Sequence, residues 1–322
     1  MTSLTSPVLR ADLHTFFKSA LAAFEAHHHH FSLLCTVTDP SPTRPTPPPP
    51  TPKPPVERLV ILDASFNPPT VAHSRMVRSA VERFYDGGGA TAQKGPTPRR
   101  EDGSGGGEAA AVGSLRVLLL LSVNNADKAP KPASFPQRLG MMYLFAKELV
   151  RELPPGLEVD VALSSRPYFH SKCELIARSG VYGDAGAMEQ VFLVGYDTLI
   201  RIFDAKYYSA ERPMEASLGP FFERARLVVA LRTGDKWGGE EEQRAYLAGL
   251  RDGGLERVGG RGEWIERVEL LSAGGDSVES TAVSSTAVRN AVRDGDEAVL
   301  GILLGEGVRA WVLGEGLYRE EA

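Results

Sequence analysis

Residues 115–122 read LRVLLLLS, apolar at nearly every position rather than at alternate ones. Residues 58–62, 157–163, 191–194, 226–231 and 268–271 are short runs of the same largely apolar kind. Between them lie segments with helical spacing, at 72–84, 135–149, from 171, through 202 and from about 286. A strand that is apolar on both sides needs cover on both faces, which a parallel sheet with helices packed above and below supplies. The pattern therefore predicts an α/β fold, and a 322-residue chain that is 42% hydrophobic has enough apolar material for such a core. Ligands of such sheets bind beyond the carboxyl ends of the strands, so the strand-to-helix junctions are where chemistry is expected.

The flanking regions read differently. Residues 9–26 carry Leu13, Phe16, Phe17, Ala20, Leu21 and Phe24 at helical spacing; His27–His30 follow, then a β-rich stretch at 31–37. Together 1–38 form an N-terminal helix and short strand expected to pack on the core. Residues 39–55 hold ten of the 23 prolines and read as a linker, one that could engage a proline-motif reader. Residues 86–114 contain GGG and GSGGG and read as a flexible glycine-rich insertion in a domain spanning 56–322. A net charge of −5 argues against a nucleic-acid binder. Two cysteines without zinc spacing point away from a disulfide scaffold or a metal held by the protein. With no long apolar run and no signal-peptide pattern, the expectation is an intracellular protein, cytoplasmic or nuclear, that does not enter a membrane.

The first junction reads Asp63-Ala64-Ser65-Phe66-Asn67-Pro68-Pro69-Thr70-Val71-Ala72-His73. The prolines mark a helix start near Thr70. Thr70 and His73, three apart, share the first helical turn, where free amides attract an anion. After residue 122 come Asn124, Lys128 and Lys131, then Phe135-Pro136-Gln137-Arg138. Residues 191–194 end in Gly195-Tyr196-Asp197; the glycine allows close backbone approach, and the carboxylate can accept from ribose hydroxyls. The last junction, Ser284-Ser285-Thr286-Ala287-Val288-Arg289, sets three hydroxyls at a helix start, with Arg289 on the face of Ser285. An arginine fork there suits a polyphosphate.

The first string resembles the nucleotidyltransferase signature G-x-F-x-P-x-H/T-x-x-H, with Ala64 in place of the usual glycine. Its Asn-Pro and Thr-x-x-His form most resembles the eukaryotic nicotinamide mononucleotide adenylyltransferases. The last string resembles that family's Ile-Ser-Ser-Thr-x-Ile-Arg motif, and the ending Gly316-Leu317-Tyr318 resembles its Leu-Tyr terminus. The resemblance spans about residues 58–320 outside the glycine-rich insertion. It implies a doubly wound, Rossmann-like sheet of about six parallel strands with helices on both faces. It also implies adenylyl transfer from ATP to nicotinamide mononucleotide, with Mg2+ bound mainly through the ATP phosphates. On the same basis, Ser65, Phe66, Thr70, His73, Gly195, Asp197, Ser284, Ser285, Thr286 and Arg289 bind ATP, and Thr70, His73, Lys128 and Arg289 are the catalytic set.

The acceptor half departs from the family. Its ring-stacking tryptophans are absent, and Tyr168, Phe169 and Tyr207 stand near those positions, with Asn67 and Lys128 as further acceptor contacts. This resembles a divergent, fungal-type branch. Two alternatives stay open: a sibling enzyme using a pantetheine phosphate or a phosphoalcohol, and an ATP-binding or ATP-hydrolysing regulator without transfer. No GxGxxG follows the first strand of the domain, against a Rossmann oxidoreductase. Oligomeric state has no signature in the chain.

Overall fold

The computed structural model describes residues 6–27, 30–38, 47–50, 56–85, 115–124, 132–183, 186, 188–231, 238–271 and 283–319. The glycine-rich segment 86–114, most of the proline tract and both Lys128 and Lys131 lie outside the described residues. Within them the chain forms seven strands: β1 Phe31–Val37, β2 Arg58–Asp63, β3 Leu115–Ser122, β4 Val159–Ser164, β5 Glu189–Gly195, β6 Ala225–Ala230 and β7 Val268–Leu271. They make one sheet in the order β1-β4-β3-β2-β5-β6-β7. Every pair is parallel except β1 with β4. The expected six parallel strands are present, and the correction is a seventh, antiparallel strand at the edge. From β2 the chain steps to β3 and β4 on one side, then to β5, β6 and β7 on the other. The strand order thus reverses between β2 and β5, where ligand crevices of doubly wound sheets lie.

The helices are α1 Pro7–Ala26, α2 Val71–Phe84, α3 Phe135–Glu152, α4 Phe169–Arg178, α5 Tyr196–Ile202, α6 Met214–Arg224, α7 Glu240–Gly249, α8 Leu255–Arg257, α9 Ser285–Asp294, α10 Glu297–Leu303 and α11 Glu306–Gly314. Each strand serves two cores. In β3, Val117, Leu119 and Leu121 face α1–α3 and α9–α11, whereas Leu118 and Leu120 face α4–α8. That is why the run is apolar throughout: its alternate side chains enter different cores. Close packing on the first face depends on Gly140 of α3, where an added Cβ would lie 2.4 Å from the Trp311 ring of α11.

The antiparallel edge is held by a buried polar cluster. Asp160 of β4 is fully buried and accepts from Thr36 Oγ1 at 2.6 Å, Arg116 at 3.0 Å and the Tyr182 hydroxyl at 3.0 Å. Burial pushes its pKa up, against the pull of Arg116 and these donors. α1 packs on α3, and Arg10 pairs with Glu315 at 3.0 Å, tying the first helix to the end of the chain. No helix among the described residues is long and apolar enough to cross a membrane.

Candidate active site

The two most specific motifs touch in space through residues 217 and 222 positions apart in the chain. β2 ends at Asp63, and the loop to α2 runs through Phe66, whose φ of 46° is left-handed, and the cis Asn67-Pro68 bond. Left-handed backbone costs a non-glycine residue of order 1–3 kcal/mol and clusters at ligand sites. Here the ring of Phe66 is fully buried and 6.0 Å from that of His73. Thr70 is the N-cap of α2, and its N–H donates to His73 Nδ1 at 3.0 Å. Because a backbone N–H can only donate, Nδ1 accepts, and the proton of the neutral ring is on Nε2. Thr70 and His73 thus form one unit at the helix start, with Thr70 Oγ1 2.9 Å from the same nitrogen.

Helix α9 closes on that loop from the far end of the chain. Ser285 Oγ donates to Pro68 O at 2.8 Å, and Arg289 donates to Asn67 O at 2.9 Å and to Thr286 Oγ1 at 2.9 Å. Ser284 is the N-cap, its hydroxyl accepting from Ala287 N at 3.1 Å. Two helix N-termini, those of α2 and α9, therefore converge with hydroxyls, an imidazole and a guanidinium between them. This is a donor set for a polyphosphate.

Two partners of this cluster escaped the sequence reading. Tyr318, at a φ of 66°, is buried and donates to Asn67 Oδ1 at 2.8 Å. Burial pushes its pKa up, opposed by Arg138 and Arg289. Arg138, in the first turn of α3, is buried and donates to Ala133 O at 2.9 Å. Burial lowers its pKa, with Tyr318 opposing and Arg289 adding to the depression. The Leu-Tyr ending and the Phe-Pro-Gln-Arg string were visible in the sequence, but neither contact has a local spacing.

On the other side of the crossover, Gly195 ends β5 and is the N-cap of α5. A Cβ there would lie 2.8 Å from Asp197 Oδ1, so the glycine leaves room for the carboxylate rather than supplying a special φ. Asp197 also pairs with Arg201 at 3.3 Å. Ser65 is exposed in the loop after β2.

The aromatic residues cluster at the mouth of α4. Tyr168, its N-cap, is 40% exposed and stacks on His170 at 5.5 Å and 6°. Burial, with Arg212, lowers the pKa of His170 to about 4, so its ring is neutral at pH 7. Phe169 turns inward and meets Phe192 edge-on at 5.7 Å. Tyr207 lies in a short 3-10 turn with Lys206 4.8 Å over its ring. The neighbouring Tyr208 is the one that reaches the second core; it donates to Ile202 O at 2.5 Å. Burial raises its pKa, helped by Asp204 and Tyr168. Asn124 anchors the strand-β3 exit by donating to Ser165 O at 3.0 Å.

A cavity of about 840 Å³ lies elsewhere, at the amino ends of β6 and β7, between α6 and the turn at Gly262–Arg267. No motif residue lines it, and its Arg226 and Arg267 are paired with Glu189 at 2.8 and 3.3 Å.

Fold and site together define an α/β protein with a doubly wound sheet and a cluster of hydroxyl, imidazole and guanidinium donors where the two motifs meet. No family model matches the chain. A protein of Schizosaccharomyces pombe named "Putative nicotinamide mononucleotide adenylyltransferase" is 33% identical over 239 residues, which is 74% of this chain and 77% of the relative. This chain therefore belongs to the nicotinamide mononucleotide adenylyltransferase family. Among solved structures, Plasmodium falciparum nicotinic acid mononucleotide adenylyltransferase aligns with a TM-score of 0.48 in its complex with APC and 0.44 in its complex with NaAD. Identity is 10% and 12%, and each alignment covers 81% of this chain and 97% of the other.

Proposed function

We propose that the protein transfers the adenylyl group of ATP to nicotinamide mononucleotide, giving the dinucleotide and pyrophosphate. The observation that carries this reading is the direct bonding of Ser285 and Arg289 to the loop that bears Asn67 and Thr70. That contact assembles one phosphate-binding surface from both motifs. An oxygen of the acceptor phosphate attacks the α-phosphorus in line, and the bond to the bridging oxygen of pyrophosphate breaks. The protein's work is positioning and charge stabilisation.

In this reading Thr70 and the Nε2–H of His73 serve the α- and β-phosphates, and Ser284, Ser285, Thr286 and Arg289 hold the β- and γ-phosphates. Lys128 contacts phosphate near the reacting centre. Asp197 takes the ribose beside Gly195, with Ser65 and Phe66 lining the ATP side. Tyr168, Phe169 and Tyr207 wall the acceptor. The phosphate half offers hydroxyls and cations rather than carboxylates. Such a set fits Mg2+ carried on the nucleotide, which would neutralise phosphate charge while keeping much of its own water.

The test is an assay of the purified chain with Mg-ATP and either nicotinamide mononucleotide or nicotinic acid mononucleotide, following dinucleotide and pyrophosphate together. Stoichiometric formation of both products is expected. ATP turnover without dinucleotide would overturn the acceptor assignment.

A further inference from the structure

One ionic contact at the same edge of the sheet belongs to neither motif. Asp63, the last residue of β2, pairs with Lys172 in the first turns of α4; their side chains are 5% and 4% exposed. The pair joins the carboxyl end of β2 to the start of α4, the helix that follows β4. It faces the same core as α4, opposite the face that carries α2 and α9. Lys172 Nζ also lies 5.2 Å over the ring of Phe169, whose neighbours in the chain, Tyr168 and His170, stack on each other. The pair thus lies against Phe169, the inward ring of the proposed acceptor wall.

Buried ion pairs are poor stabilisers, since an apolar pair of similar volume serves a core as well or better. What such a pair does set is local charge. Breaking it leaves a full unit charge in a medium where Coulomb interactions are strong. The surrounding wall adds little: His170 is neutral at pH 7, and Arg212, which also acts on it, is exposed and screened by solvent.

We propose that the Asp63–Lys172 pair is the charge filter of the acceptor subsite, holding it neutral so that a pyridine mononucleotide with an uncharged carboxamide is preferred over one with a carboxylate. This rests on the acceptor reading above. Asp63 and Lys172 act here as specificity residues, compensating each other until one is removed.

The experiment compares kcat/KM for nicotinamide and nicotinic acid mononucleotides in the wild type, Asp63→Asn, Lys172→Met and the double variant. The wild type is expected to prefer the carboxamide. Asp63→Asn, which leaves the ammonium alone, shifts the ratio toward the carboxylate by roughly tenfold or more. Lys172→Met shifts it the other way, and the double variant returns near the wild-type ratio. Opposite shifts are the signature, because a packing role would lower both substrates alike. Should Asp63→Asn fail to fold, the difference between Lys172→Met and the double variant carries the same information. A ratio that stays constant across the folded variants, or a wild type that prefers the carboxylate, overturns the proposal. A wild type that makes dinucleotide from neither acceptor removes the acceptor reading itself, and the proposal with it.

Discussion

The phosphate half and the acceptor half of this crevice are built by different means. The phosphate half is assembled from helix N-termini and backbone. Thr70 caps α2, Ser284 caps α9, and Ser285 and Arg289 bond to the carbonyls of Pro68 and Asn67. The acceptor half, as proposed, draws on side-chain shape: the Tyr168–His170 stack, the inward ring of Phe169 and the buried Asp63–Lys172 pair. Phosphate binding uses amides and hydroxyls whose geometry the first helical turn prescribes, so it leaves a short, spaced signature. Ring binding needs only an apolar wall in the right place, and many residues on many elements can provide one. Within a single crevice, then, the same degree of function can be written locally or diffusely.

The comparison can be broken most sharply at His73. His73→Ala should lower kcat by about 10²-fold or more, as loss of a transition-state donor does, with the fold intact by circular dichroism. Near-normal turnover would take the imidazole out of the chemistry. Arg289→Ala should raise the KM for ATP about tenfold or more, through loss of charge-assisted bonds, while the KM for the acceptor stays put. Equal increases for both substrates would erase the division into halves. Tyr168→Ala should do the reverse, raising acceptor KM about threefold to tenfold with ATP dependence unchanged. The smallest effect is expected at Tyr318→Phe, which removes one hydroxyl bond to Asn67. It should cost about 1 kcal/mol and lower Tm by roughly 2–4 °C. A Tm equal to that of wild type would show that the tail does not clamp the loop.

Much of the fold could be read from the chain. The runs at Leu115–Ser122 and Val268–Leu271 are strands at their expected limits, because their apolar residues face both cores or the sheet edge without a competing partner. The strand expected at 157–163 begins at Val159, since Leu157 N is taken by Pro154 O in a turn. The helix expected from 171 begins at Phe169, with Tyr168 as its cap. The stretch at 31–37 was recognisably β-rich, but not its antiparallel pairing. That pairing depends on Thr36 reaching Asp160, 124 residues away.

The same division separates what was legible in the site from what was not. Thr70 with His73, and Ser284 through Arg289, were singled out by short spacing at a helix start together with the resemblance of their strings to family signatures. Tyr318 against Asn67 and Lys172 against Asp63 join residues from different elements, and only the folded topology brings them together. Local hydrogen bonding and periodic burial act over a few residues and so leave their mark in the order of amino acids. The choice of a partner across the sheet depends on where distant elements come to rest, and packing alone settles that.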